Sequence, residues 1–113
     1  MANDIRAYLS NSGVSAQKMR LVINMIRGKN AVEAMNLLKF TPKAAARTLS
    51  KLLASAVANG EENFGVSRDD LYIYEIKADE APTRKWRRFG ARGRFKPLLR
   101  RSAHVTVVLR ERV

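Results

Sequence analysis

The sequence predicts an α+β fold: a small three-stranded antiparallel sheet with three helices packed on one face and a long basic β-hairpin protruding from it. Three observations carry this prediction. Apolar residues recur at helical spacing in three stretches between Ser15 and Gly60. The period then changes to two in "LYIYEIKA" and "AHVTVVLR". Between those strands lies "RKWRRFGARGRFKPLLRR", residues 84–101, in which nine of eighteen residues are cationic and none is anionic. A chain of 113 residues that is 46% hydrophobic fits one domain, residues 1–113, with 79–102 as an extended arm.

The elements follow in order. "IRAYLS" is a weak strand near the N-terminus. Ser15 suits the N-cap of a first helix, "AQKMRLVINMIR", in which Met19, Val22, Ile23 and Ile26 form the apolar stripe and Lys18, Arg20 and Arg27 fall off it. Gly28 stands where a C-cap glycine belongs. Asn30 with Glu33 resembles a capping box opening a short helix, "AVEAMNLLKF". Thr41-Pro42 reads as a cap with proline at the first helical position. The long helix it opens has Ala45, Leu49, Leu52, Leu53, Ala56 and Val57 on one stripe and Lys43, Arg47 and Lys51 outside it, and it is expected to end at Asn59-Gly60. Met19, Met25 and Met35 sit in these helical patterns and read as core. After the loop "EENFGVSRDD" come the two good strands, the second with Ala103, Val105, Val107 and Leu109 on its buried face.

The arm admits two readings. If Ala78 and Ala103 end the buried strands, the midpoint of the connection falls inside "GARG", where Gly90 and Gly93 permit a tight turn. Each side of such a hairpin, about 12 residues at ~3.3 Å each, reaches roughly 40 Å. An isolated two-stranded ribbon is marginal in water and like charges repel, so the arm needs an anionic groove to order it. The alternative is a solvated basic loop. Trp86, Phe89 and Phe95 favour the arm, because aromatics are of little use to a solvating loop but stack on bases. Arginine outnumbers lysine seven to two over residues 82–101, which favours bidentate phosphate contacts. Pro82 and Pro97 each lack a backbone donor and predict an irregular ribbon near the base.

The net charge of +12 points to a polyanionic partner, and residues 82–101 alone supply nine of the twelve excess charges. No cysteine is present, so a disulfide framework and thiolate metal sites are excluded, which suits a reducing cytoplasm. "MANDIRAYLS" has no apolar stretch of a secretory signal, and apolar runs such as "LVINMI" fall short of the roughly 20 residues of a membrane span. The carboxylate pairs Glu61-Glu62, Asp69-Asp70 and Asp79-Glu80 lack a third ligand, His104 has no visible serine or acid partner, and no phosphate-binding glycine loop occurs. An enzyme is therefore disfavoured, with no cofactor and no metal expected. A structural RNA-binding protein and a DNA-binding architectural protein with a β-arm both fit the composition. The basic stretch lacks a helical apolar face, which weighs against membrane binding.

"SAQKMRLVINMIRGKNAVEAMNLLKFTPKAAA", "LYIYEIKADEAP" and "GARGRFKPLLRRSAHVTVVL" together resemble the universal large-subunit ribosomal protein family numbered twenty-two, over nearly the whole chain. The carrying elements are Arg20-Leu21-Val22, Ile26-Arg27-Gly28-Lys29, Gly93-Arg94 and His104-Val105-Thr106-Val107. The chain departs from the family at Ser15-Ala16-Gln17-Lys18, where Ser-Pro-Arg-Lys is frequent, at Phe89-Gly90 in place of a common Pro-Arg, and at Phe95 in place of a small residue. The resemblance implies a cytoplasmic ribosomal protein that binds large-subunit ribosomal RNA, supports its assembly and lines the nascent-peptide exit tunnel with its hairpin, beside the constriction where macrolides act. The partners it implies are that RNA, neighbouring ribosomal proteins and the nascent peptide, with no membrane and no small-molecule substrate. On charge and resemblance together, the RNA-binding candidates are Lys18, Arg20, Arg27, Lys29, Lys43, Arg47, Arg84, Lys85, Trp86, Arg87, Arg88, Arg94, Lys96, Arg100, Arg101 and His104. The tunnel-tip candidates are Phe89, Gly90, Ala91, Arg92, Gly93, Arg94 and Phe95.

Overall fold

The computed structural model describes residues 4–81, 84–89 and 95–112, with 84–89 and 95–100 as backbone. It contains β1 (Ile5–Leu9), α1 (Ala16–Ile26), α2 (Ala31–Lys39), α3 (Ala44–Phe64), a short 3-10 turn (Arg68–Asp70), β2 (Leu71–Glu80), β3 (Arg84–Phe89), β4 (Phe95–Arg100) and β5 (Ala103–Glu111). The last strand lies at the centre of the sheet, in the antiparallel order β1-β5-β2, and β3 pairs with β4 in a separate ladder. The α+β class, the three helices and the three-stranded sheet are as the periodicity predicts.

Burial follows the stripes. Met19, Val22, Ile23 and Ile26 of α1, and Leu49, Leu53, Ala56 and Val57 of α3, close over Ala103, Val105, Val107 and Leu109 of β5 and their neighbours. Among the described residues no polar or charged side chain is buried, so hydrophobic burial alone drives this core. Met35 packs half-buried against it, whereas Met25 is 40% exposed and does not belong to the core as its helical pattern suggested. It lies off the Met19–Ile26 stripe.

In β2 the alternation changes phase. Leu71 and Ile73 are buried, then Ile76 and Ala78, because the register with β5 shifts between Ile73 and Glu75. This bulge inserts Tyr74 and returns the following residues to the core face.

Caps set the helix ends, and three differ from expectation. Ser15 accepts from the Lys18 N–H at 3.3 Å, and Asn30 Oδ1 accepts from the Val32 N–H at 2.9 Å. Gly28 has φ 77°, the left-handed conformation that ends α1. Glu33 does not close the predicted capping box with Asn30, and instead its Oε1 lies 3.6 Å from Lys29 Nζ. Thr41-Pro42 is not the start of α3. The Thr41 hydroxyl donates backwards to the Leu37 carbonyl at 2.7 Å, and α3 begins at Ala44 with Lys43 as a cap that offers no side-chain bond.

Asn59-Gly60 does not end α3 either. The helix continues to Phe64 and stops at Gly65, whose φ of 65° is left-handed. Gly60 is buried inside it, where an added Cβ would lie 3.0 Å from Ile5 Cδ1 and 3.1 Å from Leu71 Cδ1. The glycine lets α3 press close to β1 and β2. Gly60→Val is accordingly expected to destabilise the fold by about 2–3 kcal/mol through overpacking. Urea unfolding measures it, and an unmoved midpoint would show that Ile5 and Leu71 yield freely.

The ladder of the sheet runs to the Glu80–Ala103 pair, and the Ala81 N–H still reaches the Ser102 carbonyl at 3.0 Å. The arm then pairs from Arg84–Arg100 to Phe89–Phe95. β4 runs through Pro97, which faces Arg87, without interruption. In a two-stranded ribbon both strands are edges, where a missing N–H is tolerated. Pro82, Thr83 and the expected turn residues 90–94 lie outside the described residues. The molecule is long and narrow, 64 by 25 by 19 Å.

Candidate nucleic-acid interface

The end of α2 and the start of α3 meet at an elbow through Phe40–Lys43, and one side of it is a cleft of about 710 Å³. Arg47 and Lys51, four residues apart, share a face of α3, Lys43 lines the same cleft from its cap, and Lys39 joins them from the last turn of α2. All four are exposed. No carboxylate lines the cleft, and among the described residues none lies in salt-bridge contact with any of the four. Because Lys43 supplies no side-chain cap, the positive end of a 21-residue helix adds to the same field. Converging cations without counter-charge repel one another, and a phosphate chain would relieve that repulsion.

The other candidates divide by what holds them. Lys18 is exposed on α1 and Arg27 just past its end, and Arg101 is exposed where the arm rejoins the sheet. Lys29 shares its charge with Glu33. Arg20 is exposed and also tied into the fold. Its Nε and Nη2 donate to the Ala78 carbonyl at 3.2 and 2.9 Å, tying α1 to β2 just before the arm. His104 Nδ1 accepts from the Asn11 N–H at 3.1 Å, which leaves the proton of a neutral ring on Nε2. Its ring lies 5.9 Å from that of Tyr8, which is 60% exposed. Tyr8 thus offers a stacking surface that the sequence reading did not select. Across the sheet, Arg110 grips Asp4 and stacks 3.4 Å over the Tyr74 ring. That hydrogen bonding holds the Asp4 carboxyl below its usual range and raises Arg110.

On the arm, the backbone register sets Arg84 opposite Arg100, Lys85 opposite Leu99, Trp86 opposite Leu98 and Arg88 opposite Lys96. Like charges placed directly opposite one another destabilise a ladder unless an anion intervenes. Phe89 and Phe95 form its last described pair, while Gly90, Ala91, Arg92, Gly93 and Arg94 lie outside the described residues.

Among the described residues no three His, Cys, Asp or Glu side chains gather as a metal site, and no helix is long and apolar enough to cross a membrane. A compact α+β body, a cationic elbow and a basic two-stranded arm define the class: a small α+β protein whose excess positive charge is gathered on an arm and on one helix elbow. Sequence comparison narrows it. The family model described as ribosomal protein L22p/L17e matches residues 7–110, and the chain belongs to that family. It is 43% identical over 109 residues to the large ribosomal subunit protein uL22 of Thermoanaerobacter sp., covering 96% of this chain and 98% of the relative. The protein of that name from Dehalococcoides mccartyi is 44% identical over 106 residues, covering 94% and 97%. That from Pediococcus pentosaceus is 46% identical over 99 residues, covering 88% and 84%. Family membership makes the chain a structural constituent of the large subunit of the cytoplasmic ribosome, working in translation and not as an enzyme.

Proposed function

We propose that the chain binds large-subunit ribosomal RNA through two cationic surfaces, the elbow cleft and the arm, and that the arm lines the nascent-peptide exit tunnel with residues 89–95. The observation that carries the RNA reading is the elbow: Lys39, Lys43, Arg47 and Lys51, contributed by two helices, converge on one cleft without a carboxylate. Such a surface takes phosphate whatever the base sequence, so it positions the protein, and the specific RNA follows from the family. Lys18, Arg27 and Arg101 extend the cationic surface, and Tyr8 beside His104 adds a place for an unstacked base. The tunnel role rests on the resemblance and on the hairpin register, in which Phe89 and Phe95 are the described pair most remote from the sheet.

Assembly follows from holding RNA segments together across both surfaces. The test is sedimentation. The tagged chain should run with the large subunit and stay there through a moderate salt wash. A chain that washes off readily, or that binds duplex DNA better than structured RNA, would overturn the reading in favour of a DNA-binding arm.

A further inference from the structure

A second surface of α2 carries the opposite chemistry. Val32, Leu37 and Phe40, together with Glu33, Asn36 and Asp69, line a groove of about 550 Å³. Phe40 is 79% exposed, more than any other large hydrophobic among the described residues. Two carboxylates and no cation line this groove, on a chain whose net charge is +12. Glu33 also meets Lys29 at 3.6 Å, but its side chain remains 60% exposed and open to a second partner.

The groove is built in advance. Asn30 ties its two walls together: Oδ1 caps α2 through the Val32 N–H at 2.9 Å, and Nδ2 donates to the Asp69 carbonyl at 2.9 Å. At the other end the elbow is closed by the Thr41 hydroxyl on Leu37 and the Thr41 N–H on Leu38, at 2.7 and 3.3 Å, so the backbone that presents Phe40 is held. An exposed aromatic on a fixed backbone loses little freedom on binding, which is why such residues anchor interfaces.

We propose that this groove docks an extended protein segment carrying lysine or arginine beside apolar residues. The apolar side chains would cover Phe40, Leu37 and Val32, and the cations would meet Glu33 and Asp69. Charge decides between partners here. A phosphate backbone would bring anions against two carboxylates, whereas a cationic segment finds here a lining with no cation of its own. The inference goes beyond RNA binding and does not depend on it. The elbow thus separates two surfaces, one for RNA and one for a basic protein neighbour.

The test uses the isotope-labelled full chain and a short acetylated peptide alternating lysine and leucine. Amide shifts are expected at Val32, Glu33, Asn36, Leu37, Phe40 and Asp69, and a control peptide with glutamate for each lysine should leave these amides unmoved. Phe40→Ala, and separately Glu33→Lys with Asp69→Lys, should each weaken binding about tenfold. Because these side chains are exposed, unchanged dispersion elsewhere in the spectrum shows that the fold is kept. No shift at millimolar lysine-leucine peptide, equal response to the glutamate peptide, or affinity indifferent to the substitutions would overturn the proposal. So would stronger shifts at these amides with oligouridylate, which would assign the groove to RNA. Because RNA plays no part in the peptide arms, failure of the sedimentation test leaves these outcomes readable.

Discussion

Exchanging Arg87, Arg88, Arg100 and Arg101 together for glutamine should lower affinity for the ribosomal RNA about a thousandfold near 0.1 M salt, with the loss shrinking as salt rises. Each phosphate contact removed flattens the slope of log affinity against log salt by roughly 0.7–0.9, so four contacts account for about three units. The arm is where this effect should be greatest, since residues 82–101 hold nine cations and no acid. The fold should be unaffected, because the buried core is drawn from the helices and the three-stranded sheet. The same exchange at Lys39, Lys43, Arg47 and Lys51 is the matched comparison. A parallel loss would place the elbow in the footprint, and an unchanged slope there would make it a solvated face. If the arm variant kept the full slope, those arginines would not meet phosphate.

What the sequence revealed, and what it hid, divides by range. Features decided within one or two turns were legible. The Met19–Ile26 stripe, the Ser15 and Asn30 caps and the Gly28 stop all depend on neighbours in the chain. Most of the failures are tertiary. Asn59-Gly60 has the composition of a helix end, yet Gly60 is needed for its small size beneath Leu71 and Ile5, the latter at the other end of the domain in sequence. Thr41 is a local exception: it has the chemistry of a cap, yet it spends its hydroxyl on the Leu37 carbonyl four residues back. The tie from Arg20 to the Ala78 carbonyl, 58 residues away, was equally out of sight. The cationic cleft was visible only in part. Arg47 and Lys51 share a helical face with Lys43 at its cap, but Lys39 joins them only once the elbow is folded. The acidic groove was hidden for the same reason, since Asn30 brings Asp69 to α2 across 39 residues.

Removing Phe89–Phe95 and closing the arm with Asn-Gly tests the division of labour between base and tip. The register makes this a clean deletion. Arg88 faces Lys96, so the two inserted residues form a two-residue hairpin turn on the pair that remains, the geometry Asn-Gly favours. Arg84–Arg88 and Lys96–Arg101 keep their cations, and the elbow is untouched. Incorporation into the large subunit, read by sedimentation, should therefore stay near that of the unmodified chain. Thermal unfolding should also be nearly unchanged, because no buried residue of the described core is lost. The change should appear in the tunnel. With the end of the arm withdrawn by several residues, macrolide susceptibility or the response to arrest-prone nascent chains should shift, while a strain carrying the elbow exchange should show weakened assembly instead. Lost incorporation with unaltered tunnel behaviour would reverse the assignment, making the tip an assembly anchor. Its aromatic pair, Phe89 opposite Phe95, would then be the first place to look for a stacked base.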